Sequence, residues 1–337
     1  MQPRGGAGAA GAPRQGGRAG PAAPEDTFQA APPQATYQKI SGALGGDPAA
    51  QAALRGMLAS GQLNAPASGG GTLLDQLGRL GGRPELLGQV VKDVANPGAI
   101  RQGRNNAFCG ANVALADMAG RKPADYARVA ADLALTGKST TPGGQEIKAQ
   151  KEGGPGQEGM SATQRLMAPA ITETANGRRY DVNATGVSRS DGRHGHRVHR
   201  LDGMKASGME RMQEMLEGQR FSSLYIPGRK DPAHAQGVDR AQQLINRELG
   251  HGQAPSVENG GHWYQVTGAQ GGQLTVQDHL TGQVSQVNAG QFLGHADAVT
   301  FTAASGRAGK RFHDPAHEDP GSGGSTKGAL NPVEDAL

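Results

Sequence analysis

The stretch "HWYQVTGAQGGQLTVQDHLTGQV", residues 262–284, decides the fold class because it contains the clearest β-hairpin pattern in the chain. Two segments with β-branched and aromatic residues flank a Gly-Gly pair that suits a tight hairpin turn. A Thr-Gly pair then predicts a second turn. The sequence predicts four strands here, at 262–267, 273–278, 283–287 and 298–303. The C-terminal part of the chain is therefore expected to form an antiparallel sheet.

The segments before this sheet are mainly helical in pattern. Apolar residues recur at helical spacing, Thr72 is placed to cap a helix, and Pro84 and Pro123 suit first helical turns. Helices are predicted within 38–64, at 72–80, from Pro84 to the "NPG" stop, from Cys109 to about Met118, and at 123–136, 161–175, 208–219 and 238–249. Two earlier strands are predicted at 178–185 and 220–228. Helices followed by a β-rich half indicate an α+β fold.

Both ends of the chain are poor in large apolar residues. Residues 1–36 contain 23 Gly, Ala or Pro, and residues 306–337 show no apolar period either. Such segments bury too little surface to offset the entropy of ordering, so both are predicted to be disordered tails. Between them we distinguish a helical prelude, 37–98, from a main domain, 99–305. Segment 137–160 is predicted to be a loop.

Charge and hydropathy argue against several function classes. The net charge is only +4, from 34 basic and 30 acidic residues that are spread along the chain, so we expect no nucleic-acid partner. No run of 18 apolar residues exists, so no membrane span is expected. The N-terminal residues lack the apolar region of a secretory signal peptide. We expect a location in the cytoplasm or export by a specialised secretion system.

Cys109 is the only cysteine in the chain and precedes a good helix, "GANVALADMA". A nucleophilic cysteine reacts as thiolate, and the positive end of a helix dipole lowers the pKa of a thiol placed there. Gly110 permits a tight backbone turn at this point. The alternative is that Cys109 is simply a small residue buried at the start of a helix.

His262 and Asp278 are the candidates for the groups that would assist this thiol. His262 opens the first hairpin strand and Asp278 closes the second. In an antiparallel hairpin the outer ends of the two strands lie side by side, so the carboxylate can hold the imidazole in one tautomer. The alternative for His262 is a histidine at a strand end that contacts a surface partner. The alternative for Asp278 is an aspartate that only forms a turn.

Taken together, "FCGANVALADMAG", "GGHWYQVTGAQGG" and "QLTVQDHLTG" resemble the papain-like cysteine peptidases, and most closely the bacterial bacteriocin-processing (C39-like) peptidases. The resemblance covers about residues 100–136 and 220–303. It implies a papain-like fold for 99–305, with Cys109 as nucleophile, His262 as base and Asp278 as the group that orients the base. Segments 137–219 and 229–260 have no counterpart in the family.

This sequence departs from the family pattern at three places. His279 stands where the family usually has proline after the orienting residue, and Ala111-Asn112 replace a usual proline after Cys-Gly. The family's oxyanion glutamine lies about six residues before the cysteine, whereas Gln102 lies seven before it. Gln102, Asn105 and Asn106 therefore all stay candidates for the oxyanion role.

The resemblance implies a monomeric cysteine hydrolase that acts on a protein or peptide through an acyl-thioester, with no cofactor and no metal. Such a hydrolase could act as a bacterial toxin or effector. The alternatives are a non-catalytic binding module on the same scaffold, or a transglutaminase, deamidase or acyltransferase. The loop "RHGHRVHR", 193–200, places His194, His196 and His199 near one another, but its arginines would oppose a cation, so a basic loop is favoured over a metal site.

Overall fold

A computed structural model describes residues 34–103, 108–150, 159–176 and 206–303 of the chain. The α+β class predicted from the sequence is confirmed in this part. It holds ten α-helices: α1 (Gln34–Ala43), α2 (Pro48–Ala59), α3 (Leu73–Arg79), α4 (Pro84–Ala95), α5 (Cys109–Arg121), α6 (Pro123–Thr136), α7 (Ala162–Asn176), α8 (Ala206–Glu217), α9 (His234–Gly250) and α10 (Ala289–Leu293). The strands described are β1 (Lys138–Thr140), β2 (Glu146–Lys148), β3 (Phe221–Tyr225), β4 (Ser256–Asn259), β5 (His262–Gln270), β6 (Gln273–Gln277), β7 (Val284–Asn288) and β8 (Ala296–Thr302).

The main sheet has six strands in the order β3-β8-β4-β5-β6-β7, and every neighbouring pair is antiparallel. The predicted hairpin forms β5 and β6, with Gln265 opposite Gln277 and Gln270 opposite Gln273. Gly271 and Gly272 make the turn at φ values of 57° and 75°, which explains the Gly-Gly pair. This register brings the start of β5 beside the end of β6.

Helix boundaries follow the signals in the sequence. Thr72 caps α3 in a capping box, in which its hydroxyl accepts from the Asp75 amide while Asp75 accepts from the Thr72 amide. Pro84 and Pro123 occupy first helical turns. Helix α6 ends at Thr136 and is followed by Gly137, whose φ of 74° is the left-handed conformation typical of a residue after a helix.

Two apolar cores lie on opposite faces of the sheet. The larger core joins α1 to α8, and the sheet adds Trp263 and Ala298 to it. The smaller core packs α9 and α10 against the other face, around Val257, Val266 and Val299. Side chains on a strand alternate between the two faces, so Trp263 enters the helical core while its neighbours His262 and Tyr264 face α10.

Some elements differ from the prediction. Segment 137–160, predicted as a loop, contains the hairpin β1–β2 in its described part, and β4 and α10 were not predicted. Helix α1 begins at Gln34, within the segment predicted as the N-terminal tail. The rest of that segment, the C-terminal tail and the predicted strand 178–185 lie outside the described residues.

The predicted prelude and main domain share one core. Leu73, Leu87 and Val90 from residues 37–98 belong to the same apolar cluster as Val113 and Tyr126 from the main domain. No helix in the described part of the chain is both long and apolar enough to cross a membrane.

Candidate active site

Cys109 is the first residue of α5, as the sequence predicts, and Phe108 is the residue before the helix. The thiol is only 4% exposed. Helix α5 packs against β5, and the backbone amide of Trp263, the residue after His262, is hydrogen-bonded to the sulfur. The cysteine therefore meets the sheet at the strand end that carries the predicted base.

The pKa of the Cys109 thiol is raised, whereas its position at a helix N-terminus predicts a lowered pKa. Burial raises the pKa of Cys109, and the nearby charge of Glu258 raises it too, while backbone hydrogen bonds from Trp263 and Gly110 lower it. Desolvation is the largest of these causes, so it outweighs the position at a helix N-terminus. The resting side chain is accordingly a neutral thiol, which corrects the lowered pKa expected from the helix alone.

His262 and Asp278 are brought together as predicted. His262 Nε2 lies 2.8 Å from Asp278 Oδ1, and each side chain is 19% exposed. Because the carboxylate only accepts, Nε2 carries the proton of this hydrogen bond. Nδ1 is then the nitrogen without a proton, and it is the one that can act as a base.

Asp278 is held in place by its own turn. Oδ1 also accepts from the Leu280 amide at 2.8 Å, and Oδ2 accepts from the Thr281 hydroxyl at 2.8 Å. Partial burial raises the pKa of Asp278, but the hydrogen bonds from His262, Thr281 and Leu280 together bring it below its usual value. The carboxylate is therefore charged and fixed in position. Thr281 was missed as a site residue, although an Asp followed three residues later by Thr in a Gly-containing turn indicates such a contact.

The His262 ring is supported on the α10 side of the sheet. Its centroid lies 4.6 Å from that of Tyr264 in an edge-on arrangement, and Tyr264 contacts Phe292 in the same way at 5.5 Å. Such aromatic pairs are favourable in this geometry and limit rotation of the imidazole. In the described part of the chain the Cys109 and His262 side chains are not hydrogen-bonded to each other.

The segment that leads to Cys109 carries the oxyanion candidates. Gln102 is buried, and its backbone amide donates to the carbonyl of His279 at 2.8 Å, which places it beside the Asp278 turn. Asn105 and Asn106 lie outside the described residues, as does the histidine loop 193–200. The residues that the structure does describe include no group of three side chains suited to hold a metal ion.

The chain matches no known protein family, no curated protein and no solved structure. The assignment of this site therefore depends on its residues and their contacts alone.

Proposed function

We propose that this protein is a papain-like cysteine hydrolase that cleaves a peptide or isopeptide bond. One observation carries the proposal. The His262–Asp278 pair, at 2.8 Å, is oriented so that Nδ1 is left available, on the strand whose next amide contacts the sulfur of Cys109. A thiol, an imidazole and a carboxylate that holds the imidazole are the groups that acyl transfer through cysteine requires.

The reaction begins from a neutral thiol because burial raises the pKa of Cys109. His262 Nδ1 takes the proton as the sulfur attacks the carbonyl carbon of the substrate. The protonated imidazole then donates this proton to the leaving amine as the C–N bond breaks, and an acyl-thioester remains. Water then attacks the thioester carbonyl and gives a proton to His262. As the C–S bond breaks, the protonated His262 returns this proton to the sulfur, which restores the neutral thiol and releases the acid. Asp278 stabilises the imidazolium in both halves of the cycle.

The oxyanion that forms during attack needs nearby N–H donors. The first amides of α5 have no helical carbonyl four residues earlier to bind and lie at the positive end of the helix. Gln102, held beside the Asp278 turn, is the described side chain proposed to supply a further donor.

The experiment compares the intact protein with Cys109→Ala and His262→Ala on a mixed peptide library read by mass spectrometry. Cleavage yields shorter peptides, deamidation converts an amide to a carboxylate at constant length, and transamidation joins an amine to the substrate. We expect cleavage, lost in both variants. His251→Ala is the matched control, since His251 is exposed at the end of α9. Cleavage that survives in Cys109→Ala contradicts the proposal, and either other product assigns a different acyl-transfer reaction to the same site.

The second candidate is a binding module without catalysis, and the burial of Cys109 favours it. Labelling by iodoacetamide separates the two. In a hydrolase His262→Ala lowers the labelling rate near neutral pH, because Nδ1 no longer accepts the thiol proton. In a binding module labelling follows the raised pKa of an isolated buried thiol, and His262→Ala leaves the rate unchanged.

A further inference from the structure

Asp278 and His279, the two residues that directly follow β6, make contacts on opposite sides of the site. The Asp278 side chain turns toward His262, whereas the His279 ring is fully buried and turns toward the segment that leads to Cys109. We call residues 98–102 the approach segment. His279 was noted in the sequence only as a departure from the family pattern.

His279 binds the approach segment through both its ring and its backbone. Its Nδ1 lies 2.9 Å from the carbonyl oxygen of Ile100, and its own carbonyl accepts from the Gln102 amide at 2.8 Å. A carbonyl oxygen only accepts, so Nδ1 carries the ring proton. Nε2 lies 3.4 Å from Gln265 Oε1 on β5, and in this tautomer both atoms are acceptors, so the ring is held by its bond to Ile100. Burial lowers the pKa of His279 to about 4, which keeps this neutral tautomer at neutral pH.

Hydrogen bonds of Arg101 and Gln277 also hold the approach segment against the end of β6. Arg101 donates to the carbonyl of Gly98 at 2.7 Å and to that of Gly282 at 3.4 Å. The guanidinium lies directly over Gly282, where a side chain would collide with it and where φ is +79°. Gln277 donates to the carbonyl of Gly98 at 3.3 Å. The approach segment is thus bound to the end of β6 and the following turn at several points.

We propose that His279 is a positioning residue, which sets the approach segment, and with it Gln102 and the start of α5, in register with the His262–Asp278 pair. The inference depends on the proposed function, because it concerns the alignment of Cys109 with its base. Deleting the Nδ1–H···O bond leaves the carbonyl of Ile100 with only a longer hydrogen bond from Arg101 Nη1, at 3.3 Å, and loosens the segment on the nucleophile side. The Asp278 side chain has its own three hydrogen bonds and keeps its place.

The test uses three substitutions of His279 that differ in whether, and where, they place a side-chain N–H donor. His279→Asn retains a side-chain N–H near the position of Nδ1. His279→Gln places its amide near the position of Nε2, and His279→Leu has no donor. Each is made in the full chain with His262 present and with His262→Ala. The measurement is the ratio of Cys109 labelling rates by iodoacetamide between the two backgrounds, with thermal unfolding as a check on folding.

We expect the ratio to fall about tenfold in His279→Leu and His279→Gln, which is the size expected when a buried hydrogen bond that aligns a reacting group is lost. His279→Asn should keep the ratio within about twofold of the unmodified chain. A purely structural role changes labelling equally in both backgrounds and leaves the ratio constant, which overturns the inference. Asn behaving like Leu overturns it as well.

A variant that unfolds is replaced by Gln277→Met, which removes the bond to Gly98 from the same end of β6 and is expected to lower the ratio in the same direction. An unchanged ratio in Gln277→Met contradicts the inference. If His262→Ala has no effect on labelling in the unmodified chain, the proposed function fails and the positioning role fails with it. If His262→Ala has an effect and the His279 variants do not alter it, only the positioning role is wrong.

Discussion

Replacing Asp117 by Asn should stabilise the protein at alkaline pH, because the C-terminal part of α5 places Asp117 near a second buried carboxyl group, that of Glu217. Arg121 lies 3.1 Å from Asp117 and 3.4 Å from Glu217 of α8, and both acids are buried. Burial, together with the Glu217 charge and against the opposing effect of Arg121, raises the pKa of Asp117 to about 7. The pKa of Glu217 is raised by burial as well. Arg121, with Lys122 near Glu217, therefore does not compensate for the burial of two negative charges.

The magnitude follows from linkage. The unfolded chain releases the Asp117 proton near the ordinary value of 3.8, whereas the folded protein keeps it up to about pH 7. Between these two values the folded state binds more protons, so stability falls as the pH rises. At about 1.4 kcal/mol for each pKa unit, the cost of ionising Asp117 reaches about 4 kcal/mol by pH 8 and is nearly absent at pH 4. Asn mimics the protonated acid, so Asp117→Asn should gain most of that energy at pH 8 and little at pH 4.

The assay is urea unfolding followed by circular dichroism at both pH values. Asp239→Asn is the control, since Asp239 is exposed on α9 and should change stability by less than about 0.5 kcal/mol. A gain in Asp117→Asn that is equal at the two pH values would refute the linkage argument. A loss of stability at pH 8 would show that the ion pair with Arg121 outweighs desolvation.

Three further outcomes are expected. Tyr126→Phe removes the hydroxyl that donates to buried Asp93 at 2.7 Å, and should cost about 1–2 kcal/mol in urea unfolding; no loss would mean that this bond does not support the helical core. Trp263→Ala empties a fully buried site and should cost about 3–5 kcal/mol, so a cost below about 1 kcal/mol would contradict its place in the core. The lowered pKa of Asp278 means that its stabilising contribution is present above pH 3.8 and is lost as the pH falls through its folded value. Melting temperatures of the unmodified chain and Asp278→Asn, measured against pH, should therefore converge below 3.8, and a constant gap would contradict this.

The elements that were predictable from the sequence are those set by interactions between residues close together in the chain. Thr72, Pro84 and Pro123 act through contacts within a few residues, so the starts of α3, α4 and α6 can be read directly. The β5–β6 hairpin is equally local. Strand β4 is different, because it is held between β5 and β8, and the partner residues on β8 are about 40 positions away. Its sequence, "SVEN", carries no pattern that predicts this pairing.

The His262–Asp278 pair and Cys109 also differ in whether local sequence determines their surroundings. The His262–Asp278 contact follows from hairpin register, which is a local property, and it was predictable from two strands and a turn. The environment of Cys109 depends on how α5 meets the sheet, which no spacing in the sequence encodes. A helix N-terminus predicts a lowered thiol pKa, but burial beneath distant parts of the chain reverses it.

The raised pKa of Cys109 changes the role that His262 has to play. A thiolate that existed in the resting protein would need the histidine only to protonate the leaving group. A neutral buried thiol needs His262 first as a base, so proton removal and attack must occur together once a substrate is bound. In the hydrolase that we propose, the rate would then depend on the alignment of Nδ1 with the sulfur. The contacts proposed to set this alignment are made by two consecutive residues: the Asp278 side chain holds the base, and the His279 ring holds the approach segment. On this proposal a single turn positions both partners of the proton transfer, so substitutions in it should affect reactivity more than stability.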